Sequence, residues 1–102
     1  MCVFCKIINK ELSGEFVFED QNLIVIKDLY PQAKTHYLII PKKHISTISD
    51  IEDHDRDLIG GLFLVARDLA KKEKILGYKL NFNVGKEGGQ EIMHVHLHFL
   101  AN

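Results

Sequence analysis

The spacing of apolar positions changes repeatedly along the chain, and each change marks an element. Phe4, Ile7, Ile8 and Leu12 fall on one helical face, and Ser13-Gly14 ends the pattern, which predicts a short helix over residues 4–11. Residues 15–20 and 23–27 are rich in strand formers and flank Asp20-Gln21-Asn22, the composition of a hairpin turn. Residues 28–34 contain Pro31 and predict a loop, and residues 35–40 predict a strand that Pro41 stops.

Between residues 49 and 74 the period lengthens. Leu58, Ile59, Leu62, Val65, Ala66 and Leu69 make one helical stripe, while Asp57, Arg67, Asp68, Lys71 and Lys72 mostly occupy the rest, so a long helix is expected to cover a sheet. Phe63 widens the stripe and Leu64 falls off it, which marks either a second apolar face for a partner chain or a single exposed leucine. Residues 78–84 alternate Leu80, Phe82 and Val84 against Lys79, Asn81 and Asn83, a half-buried strand with Asn83 on its polar face. A glycine-rich hairpin over residues 85–90 then leads into a last strand over residues 92–100. The order is a meander with helices inserted, an α+β fold in which helices pack on an antiparallel sheet of about five strands.

Composition narrows the class. At 102 residues the chain is expected to be a single domain over 1–102 with its own core, and 46% hydrophobic with 26% charged residues is ordinary for a soluble globule. A formal net charge of -1 argues against a nucleic-acid surface, so any phosphate recognition must be local. The apolar runs are too short to span a membrane and the N-terminus lacks a secretory apolar stretch, which predicts a cytoplasmic protein.

Candidate chemistry concentrates in the last strand. In His94-Val95-His96-Leu97-His98 the three imidazoles alternate and so share one strand face. Three readings compete: a polar exposed face, a three-histidine metal centre, or a nucleophile with helpers. Alternate residues on a strand lie about 6.6–7 Å apart, too far for three to reach one ion at about 2 Å, although one or two can ligate. A neutral imidazole can instead attack phosphorus while its neighbours contact phosphate oxygens. The adjoining turn could offer backbone N–H groups around Gly89, with Asn83 and Gln90 as neutral donors, and alone it would read as a plain turn. No acidic cluster adjoins it, so no Mg²⁺ requirement is expected.

Cys2 and Cys5 are the only cysteines, and a cytosolic setting disfavours a disulfide between them. Their spacing suits a redox pair, half of a tetrahedral zinc site, or two small apolar residues near a terminus.

The histidine run, preceded by Gly88-Gly89-Gln90, resembles the signature of the histidine triad (HIT) family of nucleotide hydrolases and transferases. Pro31-Gln32-Ala33, Thr35-His36 and Pro41-Lys42-Lys43-His44-Ile45-Ser46 resemble the family's other blocks in the same order, and the branch most resembled is the Hint-type purine nucleoside phosphoramidase. The resemblance implies a HIT-like fold and a homodimer joined through the long helix and the strand over residues 78–84. It implies cleavage of purine nucleoside 5′-phosphoramidates, with an AMP or GMP moiety bound and His96 as the nucleophile. A covalent nucleotidyl-imidazole intermediate would form and water would resolve it. His98 would contact the phosphate and leaving group, and His36 would support it. Asp28 would bind the ribose, Asn83 the phosphate, and Phe4, Ile7, Ile26 and Leu29 the base. It further implies a structural Zn²⁺ held by Cys2, Cys5, His44 and His94, which removes His94 from the chemistry. A dinucleoside polyphosphate hydrolase and a nucleotide-binding interaction module with an idle triad are the alternatives. Glu91 stands where many relatives carry Ser or Thr, and relatives continue past the position of Leu100-Ala101-Asn102. Both departures fall on substrate selectivity.

Overall fold

The computed structural model describes residues 2–102. Five antiparallel strands form one sheet: β1 (Phe16–Glu19), β2 (Leu23–Lys27), β3 (Thr35–Pro41), β4 (Lys79–Asn81) and β5 (Leu97–Ala101), in the order β1-β2-β3-β5-β4. Two helices, α1 (Val3–Ile8) and α2 (Arg56–Lys72), complete the fold. Among the described residues no helix is long and apolar enough to cross a membrane.

The central strands are buried on both faces because the two helices cover opposite sides of the sheet. From β2 and β3, Val25, Tyr37 and Ile39 point to one side and join Leu62, Ala66, Leu69 and Ala70 of α2 in the larger core. The alternate positions Ile24, Ile26, Leu38 and Ile40 point to the other side and pack with Phe4 and Ile7 of α1. This explains why Leu23–Lys27 reads as a continuous apolar run where a one-sided strand would alternate. Register pairs Val25 with Ile39 and Ile26 with Leu38, so each face stays in phase across the two strands.

Several expected boundaries move, and local hydrogen bonding explains why. The first helix ends at Ile8 and leaves Leu12 exposed, because Lys10 turns left-handed at φ 63° and both Glu11 and Leu12 donate their N–H groups back to the Lys6 carbonyl. The long helix starts at Arg56 instead of residue 49. Two 3₁₀ turns, Ile48–Asp50 and Asp53–Asp55, precede it, each closed by a capping box in which Asp50 or Asp55 binds the backbone of the residue three before it. Those carboxylates offer the backbone an alternative to an α-helix.

The last strand also shortens. Pairing with β3 stops at Ile39 opposite Leu97, and upstream of it Val95 donates its N–H to the Ile45 carbonyl at 2.7 Å, so His94 and His96 lie before β5. The strand expected over residues 78–84 is confined to Lys79–Asn81, and the expected glycine hairpin is a 3₁₀ turn, Lys86–Gly88, inside a longer connection. Gly85 and Gly89 have φ of 73° and 87°, values that glycine adopts without strain.

Candidate functional site

A cavity of about 840 Å³ opens between α1, the β2–β3 loop and the connection that follows β4. Phe4 and Ile7 of α1, Ile26 of β2 and Leu29 of the loop give it an apolar wall, with Leu29 85% exposed at the mouth. Asp28, His36, Asn83, Gly89, His96 and His98 form the polar side. The Phe4 ring meets His96 edge-on, with centroids 5.0 Å apart, so the apolar wall and the imidazoles are in direct contact.

Backbone partners fix which nitrogen of each imidazole carries the proton. His96 Nδ1 lies 2.7 Å from the His94 carbonyl, which can only accept, so Nδ1 is the N–H and Nε2 keeps its lone pair. His36 Nδ1 accepts the Gln32 backbone N–H at 3.1 Å, which places the His36 proton on Nε2. That Nε2–H donates to His98 Nδ1 at 2.9 Å, and the His98 proton is thereby assigned to Nε2. A single backbone amide thus sets the tautomers of two histidines in series. Asp28 stands beside them, with Oδ1 accepting the Tyr30 N–H at 2.8 Å and Oδ2 3.5 Å from His36 Nε2.

Burial decides the charge of His96 and His98. It pushes the His98 pKa down to about 4, reinforced by His96 and His36 and opposed by Asp28. Burial also lowers His96, against the hydrogen bond to the His94 carbonyl and the attraction of Asp28. Near neutral pH the arrangement presents a lone pair on His96 and a neutral N–H donor on His98.

On the far side of α1 a second cluster assembles. Cys2, Cys5, His44 and His94 bring their donor atoms within 4.8 Å of one another, a set able to hold a metal ion. His94 Nδ1 lies 3.3 Å from Cys2 Sγ and 3.6 Å from Cys5 Sγ, and His44 Nδ1 lies 3.6 and 3.3 Å from the same two atoms. The two imidazole nitrogens are 3.2 Å apart. His94, fully buried, donates Nε2–H to the Pro41 carbonyl at 2.7 Å, so its Nδ1 faces the cluster as a lone pair. Burial lowers its pKa and keeps it neutral; burial and the adjacent Cys2 push the Cys5 thiol up.

The expected residues therefore separate into two groups on either side of α1. All of the cavity candidates line the cavity except Gln90, whose expected role as a phosphate donor is corrected. Gln90 is buried, with Oε1 accepting the Gly85 N–H at 2.8 Å and Nε2 donating to the Ser46 and Ile92 carbonyls at 2.7 and 2.9 Å. Three backbone groups from separate segments consume its carboxamide. Asn83 Nδ2 donates to the Gly88 carbonyl at 3.0 Å, and a Cβ on Gly89 would lie 3.4 Å from that nitrogen, so this turn is closed tightly on Asn83. Leu38, Asn81 and Leu100 also line the cavity and were not foreseen. Their strand positions are ordinary, and only the sheet order brings them there.

The chain has close relatives. A family model described as scavenger mRNA decapping enzyme C-term binding matches residues 1–102. Protein HitA of Neisseria gonorrhoeae is 37% identical over 101 residues, covering 98% of this chain and 94% of that protein. An uncharacterized HIT-like protein of Chlamydia muridarum is 43% identical over 103 residues, covering 97% and 79%. The crystal structure of a HIT family hydrolase from Legionella pneumophila superposes with a TM-score of 0.96 at 48% identity, over 100% of this chain and 93% of that one. A histidine triad protein from Clostridium difficile superposes with a TM-score of 0.95 at 38% identity, over 99% and 90%.

Proposed function

The chain belongs to the histidine triad family, and from that premise we propose that it is a nucleotide hydrolase cleaving purine nucleoside 5′-phosphoramidates. The observation that carries this reading is the His96 tautomer: Nδ1–H is tied to the His94 carbonyl, which leaves the Nε2 lone pair for attack on phosphorus. Attack forms the P–Nε2 bond and breaks the P–N bond of the substrate. The departing amine takes a proton from solvent at the open mouth, since His98 is a neutral hydrogen-bond donor and not an acid. The His94 carbonyl stabilises the imidazolium that His96 becomes. Water then attacks phosphorus and releases the mononucleotide, restoring His96. His98 Nε2–H and Asn83 hold the phosphoryl oxygens, whereas the N–H groups of Gly88, Gly89 and Gln90, expected to join them, donate to the Gly85 and Lys86 carbonyls within their own turn; Asp28 accepts from the ribose hydroxyls and Phe4, Ile7, Ile26 and Leu29 enclose the base.

The second cluster suits Zn²⁺. Bond lengths of about 2.3 Å to sulfur and about 2.0–2.1 Å to nitrogen require tetrahedral edges of about 3.6 Å for S···N and about 3.3 Å for N···N. The observed edges of 3.3–3.6 Å and 3.2 Å meet that requirement. Four protein donors leave no open position, so the ion would serve to fasten α1 to the His44 and His94 segments. A second copy of the chain is proposed to cover Phe63 and Leu64 of α2, which are 43% and 52% exposed, together with Phe82, which packs against Phe63.

Incubation with an adenosine 5′-phosphoramidate tests the reading. AMP and free amine are expected, and a His96→Ala protein that turned over at the wild-type rate would overturn the mechanism. Release of AMP from dinucleoside polyphosphates alone would move the assignment to the related hydrolase class.

A further inference from the structure

The charges of the cavity are unusual for a site that takes a phosphate. Its lining carries three carboxylates, Glu15, Asp28 and Glu91, against two ammonium groups, Lys27 and Lys79. Lys27 and Glu15 cancel one another through a 2.6 Å ion pair. Asp28 is held by the Tyr30 N–H and stands against His36. His98 is neutral. What remains is Lys79, on the edge strand β4, and Glu91, for which no partner occurs among the described residues.

The position of Glu91 is fixed on both sides. Gln90 before it is locked by three hydrogen bonds, and Ile92 after it packs on the α1 core. Only one residue separates Glu91 from Gly89, and both line the cavity, so the carboxylate stands on the wall that carries Gly89 and Asn83, beside the proposed phosphate contact of Asn83. A free carboxylate there repels a polyphosphate chain and every anionic leaving group. It is favourable for a substrate that brings its own cation.

We infer that Glu91 is a specificity-determining residue that selects phosphoramidates whose leaving amine carries a further positive charge, as a diamine or a basic amino-acid side chain does. This rests on the phosphoramidate reading above and adds the charge class of the leaving group. Attraction between unit charges about 8 Å apart at a half-solvated cavity mouth corresponds to a preference of about 5- to 30-fold, and it weakens as salt rises.

Binding separates this inference from the hydrolase reading. Three adenosine 5′-phosphoramidates of matched length, ending in an ammonium, a hydroxyl and a carboxylate, are titrated calorimetrically into His96→Ala protein, with His96→Asn as a second background. The ammonium compound is expected to bind about 5- to 30-fold more tightly than the hydroxyl compound, and the carboxylate compound more weakly than both. Adding Glu91→Gln should shrink the ammonium advantage to under about threefold, and raising salt should shrink it in the parent protein. Equal affinities for the three, no binding of any, or an advantage that survives Glu91→Gln would overturn the inference. Wild-type protein that shows the charge preference yet releases no amine would overturn the hydrolase reading alone.

Discussion

The two clusters flanking α1 use the same residue type to opposite ends, and one backbone group in each accounts for the difference. In the first, the outer nitrogen of His94 meets a carbonyl, Pro41, and must donate; its inner Nδ1 is left as a lone pair beside two thiols. In the second, the outer nitrogen of His36 meets an N–H, that of Gln32, and must accept; its inner Nε2 therefore holds a proton. Asp28, His36 and His98 also bring donor atoms within 4.8 Å of one another, the spacing of a metal set. Yet a cation there would have to expel the His36 proton and leave an imidazolate, because Gln32 blocks the other nitrogen. The same spacing of donors is thus a candidate metal site on one side and a proton-bearing pair of imidazoles on the other. Tautomer, read from the backbone, separates them where distance alone does not.

The largest expected effect breaks the catalytic side. His96→Ala removes the lone pair proposed to attack phosphorus and should lower turnover by at least about 10³-fold, while AMP affinity changes little because the cavity walls remain. Steady-state kinetics and calorimetry check the two halves. On the other side, Cys5→Ser should release the metal ion and cost several kcal/mol of stability, since binding free energy at such a site is folding free energy. Elemental analysis and thermal unfolding with and without chelator measure it. AMP affinity should fall as well, because α1 carries Cys5 on one face and Phe4 and Ile7 on the other. Metal stoichiometry separates the two sides: Zn²⁺ titration of metal-free protein should saturate at one equivalent per chain. A second tight equivalent, lost in His36→Ala, would show that the Gln32 amide does not govern the His36 tautomer.

Much of this division was legible in the chain and some was not. The two-sided core follows from continuous apolar runs at β2 and β3, and the helix faces follow from their stripes. The alternation singles out His96 and His98, and the family resemblance implies the set Cys2, Cys5, His44 and His94, whose donor atoms the fold brings together. The alternation of the histidines implied three equivalent imidazoles, but β5 begins only at Leu97, and what distinguishes the rings is a set of carbonyl and amide partners from Pro41, His94 and Gln32. Those partners lie up to 53 residues away in sequence, and no local pattern announces them.

Gln90 shows the same limit from the other direction. Its type and its place beside the glycines suggested a phosphate donor, whereas its carboxamide ties the Gly85 turn to Ser46 and Ile92. Gln90→Ala would leave the half-buried Gly85 N–H and Ser46 carbonyl without a partner, while the Ile92 carbonyl keeps the His94 N–H, and should cost about 1–3 kcal/mol, measured by urea unfolding. Because the turn carries Gly89 and Asn83, KM should rise more than kcat falls.

The smallest expected effect concerns the support behind His44, one of the four candidate metal donors. Lys43, its neighbour, donates to Asp55 Oδ1 at 2.6 Å, and Asp55 Oδ2 accepts the Glu52 N–H at 2.9 Å at the entry to α2. The Lys43 ammonium and then the Glu52 amide hold the Asp55 carboxyl below its usual range. A folded-state pKa below the unfolded value near 3.9 means that this contribution is complete above about pH 5 and disappears as pH falls through the folded value. Asp55→Asn should therefore be slightly less stable than wild type at pH 7, and the gap should close as the medium is acidified toward pH 2. Denaturant unfolding at a series of pH values reads both. A gap that stayed constant down to pH 2 would mean that Asp55 acts through its shape and its bond to Glu52, with the charge of Lys43 adding nothing to the anchoring of His44.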